Sequence, residues 1–180
     1  EEIRSKVRVI LTLDTLEYAK MSGRVGTLQA ALASVLNVKP IAVLRDGVLN
    51  MAERVRTRKA DAFDALRTLA AERARFDVVI LDPPAFIKRR KDAPQGQAAY
   101  RKLNQQAMQV LARDGFLVSC SCSHHLGLDD LMVTIQQAAR HVDRFAQVVE
   151  VGGHAPDHPL HPAIAETRYL KSLFCRVVQD

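Results

Sequence analysis

No apolar run in these 180 residues approaches the roughly 20 that a bilayer crossing needs, so the chain is not expected to span a membrane. The opening Glu1-Glu2-Ile3-Arg4 has neither the basic start nor the apolar stretch of a secretory signal. An initiator Met is missing too, as it would be in a piece of a longer product. Cysteine is scarce and odd in number: three, with Cys120 and Cys122 two residues apart and Cys175 far downstream. That argues against a disulfide framework and for a reducing, cytoplasmic setting. Repeats and low-complexity tracts are absent. What is present is globular in composition, 48% hydrophobic and 26% charged, which excludes a disordered tail and a collagen-like chain. The length suits one ordinary domain or two small ones, and leaves the oligomeric state open.

The net charge of +6 fits a polyanionic partner without requiring one. It is unevenly spread. Residues 1–60 carry 11 basic and 6 acidic side chains, and residues 61–180 carry 15 and 14. The cluster Arg54, Arg56, Arg58 and Lys59 reads first as a solvated strand end.

Periodicity predicts a strand over Val7 to Leu13, a short helix over Thr15 to Met21, a glycine turn over Ser22 to Gly26 and a helix over Leu28 to Leu36. Pro40 to Leu44 and Val48 to Val55 flank Arg45-Asp46-Gly47 and read as a β-hairpin. The texture changes near Lys59/Ala60 to strand–helix alternation. A helix is predicted over Ala62 to Arg73. Phe76 to Leu81 (FDVVIL) is a continuous apolar run and reads as a fully buried parallel strand. A helix over Gly96 to Ala112 follows, then an Asp114-Gly115 turn and a second buried strand, Phe116 to Cys122. Leu128 to His141 is an amphipathic helix, and Phe145 to Val151 and Tyr169 to Val178 are strands around the irregular stretch Gly152 to Thr167.

Strand 76–81, helix 96–112 and strand 116–122 make a βαβ unit, whose strands should be parallel neighbours. The residues just past each carboxyl end then share the sheet edge where open α/β sheets bind ligands. One end presents Asp82-Pro83-Pro84-Ala85-Phe86, the other Ser121-Cys122-Ser123-His124-His125. The prolines hold the chain extended and stiff, which aims a carboxylate and a flat aromatic, Phe86, at a planar substrate. A strand terminator alone would also explain Asp-Pro-Pro, and packing alone is the usual fate of a strand cysteine. At a strand end Cys122 is instead placed to be a reactive thiol, with His124 or His125 to lower its pKa. Zinc ligation by Cys122, His124 and His125 is poorly spaced, and no second cluster completes it, so no metal is expected. Cys120, deeper on the same face, and Cys175, mid-strand, read as core. Lys88-Arg89-Arg90-Lys91 is either a solvated face or a set of phosphate contacts.

Asp61-Ala62-Phe63, FDVVILDPPAFIKRRK (Phe76 to Lys91), LVSCSCSHH (Leu117 to His125), DHPLHPAI (Asp157 to Ile164) and YLKSLFCRV (Tyr169 to Val177) together resemble the carboxyl-terminal half of ribosomal RNA large-subunit methyltransferase I. The resemblance covers about residues 60–180. It implies a Rossmann-like half-sheet, mainly parallel with an antiparallel last strand, in an S-adenosylmethionine-dependent enzyme making 5-methylcytosine in RNA. By that resemblance Cys122 is the nucleophile that adds to C6 of cytosine and Asp82 holds the base edge at N3. Asp61, Ala62, Phe63, Asp82 and Pro83 lie by the cofactor, and Pro84, Phe86, Lys88, Arg89 and Arg90 by the RNA. A flipped cytosine is implied.

Upstream of Asp61 the family's glycine-rich cofactor turn has no counterpart, because Gly23 and Gly26 follow a helix and are wrongly spaced. Residues 3–59 instead resemble the carboxyl-terminal domain of the DegV fatty-acid-binding proteins. LDTLEYAKMSGRVG (Leu13 to Gly26), LNVKPIAVLRDG (Leu36 to Gly47) and ERVRTRK (Glu53 to Lys59) carry that likeness. The chain thus looks like a chimera of two partial domains, an α+β segment over 1–59 and a methyltransferase-like α/β region over 60–180. A designed chimera, a recombination product and a mis-joined frame all give such a text. Three functional readings follow: a cytosine-5 methyltransferase region with an impaired cofactor site, a fatty-acid binder, and a non-catalytic α/β scaffold.

Overall fold

The computed structural model describes residues 6–12, 41–45, 48–51 and 62–179. The chain divides into two compact units, Glu1–Thr68 and Leu69–Asp180. In the first, β1 (Val9–Thr12), β2 (Ile41–Arg45) and β3 (Val48–Met51) form an antiparallel sheet in that order. Arg45 pairs with Val48. β2 and β3 thus pair as the hairpin strands expected from sequence, while Asp46 and Gly47 lie outside the described residues. The helices expected over 15–21 and 28–36, the basic residues Arg54 to Lys59 and Asp61 lie outside the described residues.

Helix α1 (Ala62–Ala71) crosses the division between the units. Its end is closed by Arg73, whose φ is 56°, with Ala74 N–H donating to Leu69 O at 2.9 Å and Arg73 N–H to Ala70 O at 3.0 Å. This pairing satisfies carbonyls that a helix end otherwise leaves open.

The second unit runs β4 (Phe76–Leu81), α2 (Ala93–Val110), β5 (Leu111–Ser121), α3 (Leu128–Arg140), β6 (Phe145–Gly152) and β7 (Lys171–Val178). The sheet order is β4-β5-β7-β6. β4 and β5 are parallel, while β7 runs antiparallel to both β5 and β6. Three strands thus point one way and the last strand reverses, which is the predicted α/β class. Tyr100, Leu103, Ala107 and Val110 of α2 and Leu131, Ile135 and Ala138 of α3 are buried, as are Leu81, Leu117, Leu173, Cys175 and Val177 of the sheet. Each fully buried leucine of such a core is worth about 1.5–3 kcal/mol relative to exposure.

Two expectations are corrected. β4 is not fully buried: Val78 is 52% and Ile80 66% exposed. They share a sheet face with Phe116, also exposed, whereas α2 and α3 pack on the other face. A continuous apolar run shows that a strand needs no polar alternation, but it does not count the layers that will cover it. β5 also begins five residues earlier than predicted, directly after α2. Phe76 pairs with Leu111 and Val78 with Phe116, so residues 112–115 form a bulge within the strand rather than a turn before it. Asp114 takes a φ of 59° there. At Gly115 a Cβ would stand 3.0 Å from the Asp77 carbonyl, so the bulge needs the smallest residue.

Candidate active site

Because β4 and β5 are parallel neighbours with Leu81 opposite Ser119, the residues after both strands rise from one edge of the sheet. The Cys122 thiol donates to the Pro83 carbonyl across 3.8 Å. Asp82 lies close enough to Cys120 for its carboxylate to push that thiol's pKa up, in addition to the larger effect of burial. Asp82 and Pro84 are exposed, Pro83 is buried and Cys122 is half-buried. Cys122 is thus part-exposed while the loop beside it is anchored at Pro83.

A buried polar network fixes this arrangement. Tyr100 of α2, with no exposed surface, receives a hydrogen bond from Ser121 Oγ at 3.0 Å and shares one with Ser123 Oγ at 2.9 Å. Ser123 Oγ accepts from Ile87 N–H at 3.2 Å, and Ser121 Oγ accepts from Ser123 N–H at 3.2 Å. One tyrosine therefore joins the two residues flanking Cys122 to the loop that leaves β4. Buried polar groups of this kind must all be paired to be tolerated, and when paired they specify one geometry. From β7, Lys171 Nζ donates to Ser123 O at 2.7 Å and to Leu126 O at 2.6 Å. Sequence reasoning missed Tyr100 and Lys171. The one sequence cue to Lys171 was its place on the inward row shared with Leu173, Cys175 and Val177, where a lysine is unusual.

Beyond the prolines, Phe86, Lys88, Arg89, Asp92, Gln95, Gly96 and Ala99 line an open groove of about 490 Å³. Phe86 packs on Tyr100 with ring centroids 4.7 Å apart. Arg89 Nε is paired with Asp92 Oδ2 at 3.0 Å, and Lys88, Arg90 and Lys91 are exposed. Three of the residues expected at RNA, Phe86, Lys88 and Arg89, thus share one surface. Arg90 opens the single turn that leads into α2.

Ala62 and Phe63 open α1 within the first unit, and Asp61 is outside the described residues. Cys120 is half-buried rather than sealed in the core. Its strand face is the one that α2 and α3 leave uncovered. Cys175 is buried as predicted, and burial raises its pKa to about 11. His124 and His125 are exposed and lie edge to face, 5.2 Å between centroids. Among the described residues neither hydrogen-bonds Cys122, which donates to the Pro83 carbonyl. Asp157 and His158, in the segment between β6 and β7, pair at 3.2 Å on the surface.

An S-adenosylmethionine site needs a glycine-lined backbone against which the cofactor can lie closely. Among the described glycines, Gly96, Gly115 and Gly152 are packed closely against Ile87, Asp77 and Ser172 of their own unit.

Comparison with known proteins agrees with both halves of the sequence reading. Ribosomal RNA large subunit methyltransferase I of Pseudoalteromonas atlantica is 35% identical over 118 residues, 66% of this chain and 30% of that protein. The enzyme of the same name from Yersinia pestis is 34% identical over the same shares. The chain thus spans about 30% of the length of the curated relatives it matches. A solved structure described as a methyltransferase complexed with SAH superposes with a TM-score of 0.52 at 18% identity, over 65% of this chain and 30% of that one. One from Streptococcus mutans, described as a SAM-dependent methyltransferase, does so equally well over 65% of this chain and 29% of its own. These likenesses establish the methyltransferase-like α/β fold. The family described as "Uncharacterised protein, DegV family" matches residues 1–133, from the first unit through β5 and into α3. That match spans well over half of the sequence, and the chain belongs to the DegV family.

Proposed function

We propose that the edge carrying Asp82 and Cys122 is the catalytic region of an RNA cytosine-5 methyltransferase. One observation carries the reading: a half-buried thiol at the end of β5 stands 3.8 Å from the loop carbonyl that follows the carboxylate at the end of β4. Likeness to ribosomal RNA methyltransferases supports it.

The chemistry assigned to this chain is that of two side chains on one base. The Cys122 sulfur, once it has lost its proton, forms a bond to C6 of cytosine, and the electron pair of the C5–C6 double bond moves toward C5 and the N3 edge. Asp82, in contact with N3, gives a proton to N3 as that charge develops and takes it back when the ring is restored. After C5 has gained its substituent, transfer of the C5 proton to water restores the double bond and expels the thiolate. A cytosine inside a helix cannot reach this edge, so the base is read as flipped out. The methyl donor of the reading is S-adenosylmethionine, which when bound supplies an electrophilic methyl group. Phe86, Lys88, Arg89 and Arg90 are read as holding the strand that carries the base, by stacking and by phosphate contact.

The test is transfer of labelled methyl from S-adenosylmethionine to a ribosomal RNA fragment, with calorimetric titration of the cofactor alongside. Activity in the parent protein, its loss in Cys122→Ala and its retention in Cys120→Ala are expected. Absence of cofactor binding up to millimolar concentration defeats the reading for this chain.

The DegV match over residues 1–133 favours a second reading, a binder of fatty acids or related lipids. Native mass spectrometry of the purified protein tests it. A co-purified fatty acid supports it, and a lipid-free protein that takes up none on incubation rejects it.

A further inference from the structure

Ser121 and Ser123 flank Cys122, and neither has exposed surface. Their hydroxyls meet at one atom, the Tyr100 phenol oxygen, at 3.0 and 2.9 Å. Side chains alternate along an extended chain, so two residues drawn to α2 leave the one between them turned the other way. There the Cys122 thiol reaches the Pro83 carbonyl at 3.8 Å. Ser123 Oγ also accepts from Ile87 N–H at 3.2 Å, which ties the same oxygen to the loop that Asp82 opens. Gly96, one turn before Tyr100 on the same face of α2, lets the helix lie against that loop. A Cβ there would collide with the Ile87 side chain and stand 3.2 Å from the Phe86 carbonyl. The Tyr100 ring in turn backs Phe86, with centroids 4.7 Å apart. Phenylalanine at position 100 would fill the same space and need no polar partner. The hydroxyl is therefore not required for packing. What it adds is a fixed geometry between the end of β5 and the loop after β4.

We infer that Tyr100 is a positioning residue: its hydroxyl sets the spacing of the Cys122 sulfur from the loop that carries Asp82, and its ring backs Phe86 in the groove. That spacing matters because both side chains act on one pyrimidine ring, the sulfur at C6 and the carboxyl group at N3. A displacement of about 1 Å in one partner of such a pair slows reaction by up to about a hundredfold. The inference rests on the methyltransferase reading and deepens it, by naming the residue that holds two groups to one base.

Tyr100→Phe removes the hydroxyl and keeps the ring, and two readouts test it. The first is capture of RNA carrying 5-azacytosine. The sulfur bonds to C6, the C6–N5 double bond opens and N5 takes up a proton, so the thiol adds without a leaving group. The rate at saturating RNA should fall at least about tenfold, while the RNA concentration giving half that rate stays parental because Phe86 keeps its support. The second is alkylation by iodoacetamide, read by peptide mass spectrometry without RNA or cofactor. It forms a sulfur–carbon bond, releases iodide and gives the thiol proton to solvent. Cys122, released from its flanking ties, should react several-fold faster than in the parent, while Cys175, buried in the same sheet, keeps its parental rate. The two changes at Cys122 have opposite signs, which neither lost folding nor altered thiol acidity produces. A tyrosine that serves stability alone predicts that both cysteines quicken together and that the folded fraction captures RNA at the parental rate. Parental capture kinetics in Tyr100→Phe, or alkylation of Cys122 that is no faster or is matched by Cys175, overturns the inference. Should Tyr100→Phe not fold, Ser121→Ala, which removes one of the two hydroxyl ties, is held to the same outcomes. A folded parent that captures no RNA, with selective alkylation of Cys122 in the variant, defeats the methyltransferase reading and leaves the positioning of the thiol standing. Capture by the parent that the variant matches defeats this inference alone.

Discussion

The Cys122 thiol donates to the carbonyl oxygen of Pro83 across 3.8 Å, a contact between residues 39 apart in sequence. It exists because two parallel strands end side by side and because the loops beyond them are held. The holding groups are polar and buried, and their removal has measurable consequences.

Tyr100→Phe deletes the hydroxyl that joins Ser121 to Ser123. Both serines keep their backbone donors, from Ser123 N–H and Ile87 N–H, so the loss is one shared partner rather than a collapse. Urea unfolding should show a destabilisation of about 1–2 kcal/mol with an unchanged m-value. A stability equal to that of the parent would mean that the network does not hold the loops.

Ser119 predicts the reverse. Its hydroxyl is buried with no hydrogen-bond partner among the described residues. Ser119→Ala removes that unpaired group, so the variant should equal or exceed the parent in stability, by up to about 1 kcal/mol. A loss of more than about 1 kcal/mol in the same unfolding experiment would show that the hydroxyl does have a partner.

The pH dependence of stability should carry the mark of Cys175. Burial raises its thiol from an ordinary 9.0 to about 11. Between those values the unfolded chain has lost the proton and the folded chain retains it, so unfolding is favoured as pH rises. The contribution is complete below pH 9.0 and is lost as pH climbs to about 11. The stability difference between the parent and Cys175→Ala should therefore shrink over that range. Lys171, whose pKa burial lowers, pulls the other way in both proteins and cancels in the difference. A difference that stays constant from about pH 8 to about pH 11 would contradict the assignment.

How much of this was legible in the sequence differs from element to element. The parallel pairing of β4 with β5 follows from an apolar run, a long amphipathic helix and a second apolar run, and the shared edge of Asp82 and Cys122 follows from that pairing. The bulge at residues 112–115 was hidden because Asp114-Gly115 has the composition of a turn, and local chemistry does not say whether the flanking residues already pair. The exposure of Val78 and Ile80 was hidden because covering a sheet face is a tertiary event. Lys171 is hidden for a general reason: lysine is normally a surface residue, so alternation alone does not mark its inward phase on β7. The histidines are read as activators because they follow Cys122 closely in sequence, and among the described residues neither hydrogen-bonds it.

RNA binding should depend on the basic run in a graded way. Arg89 is already paired with Asp92, while Lys88 and Arg90 are exposed. Neutralising Lys88 or Arg90 should make the plot of log affinity against log salt shallower by about 0.7 for each phosphate of a single strand that is no longer neutralised. Arg89→Gln should reduce the slope less. Slopes identical to the parent in all three variants would return the run to solvated surface.

Covalent capture of a base by Cys122 is the most direct test of this edge. RNA carrying 5-azacytosine accepts a nucleophile at C6, and a protein–RNA adduct then survives a denaturing gel. The parent and Cys120→Ala proteins should form that adduct, and Cys122→Ala should form none. An adduct that persists without Cys122, or its absence from the folded parent, would contradict the assignment of this edge.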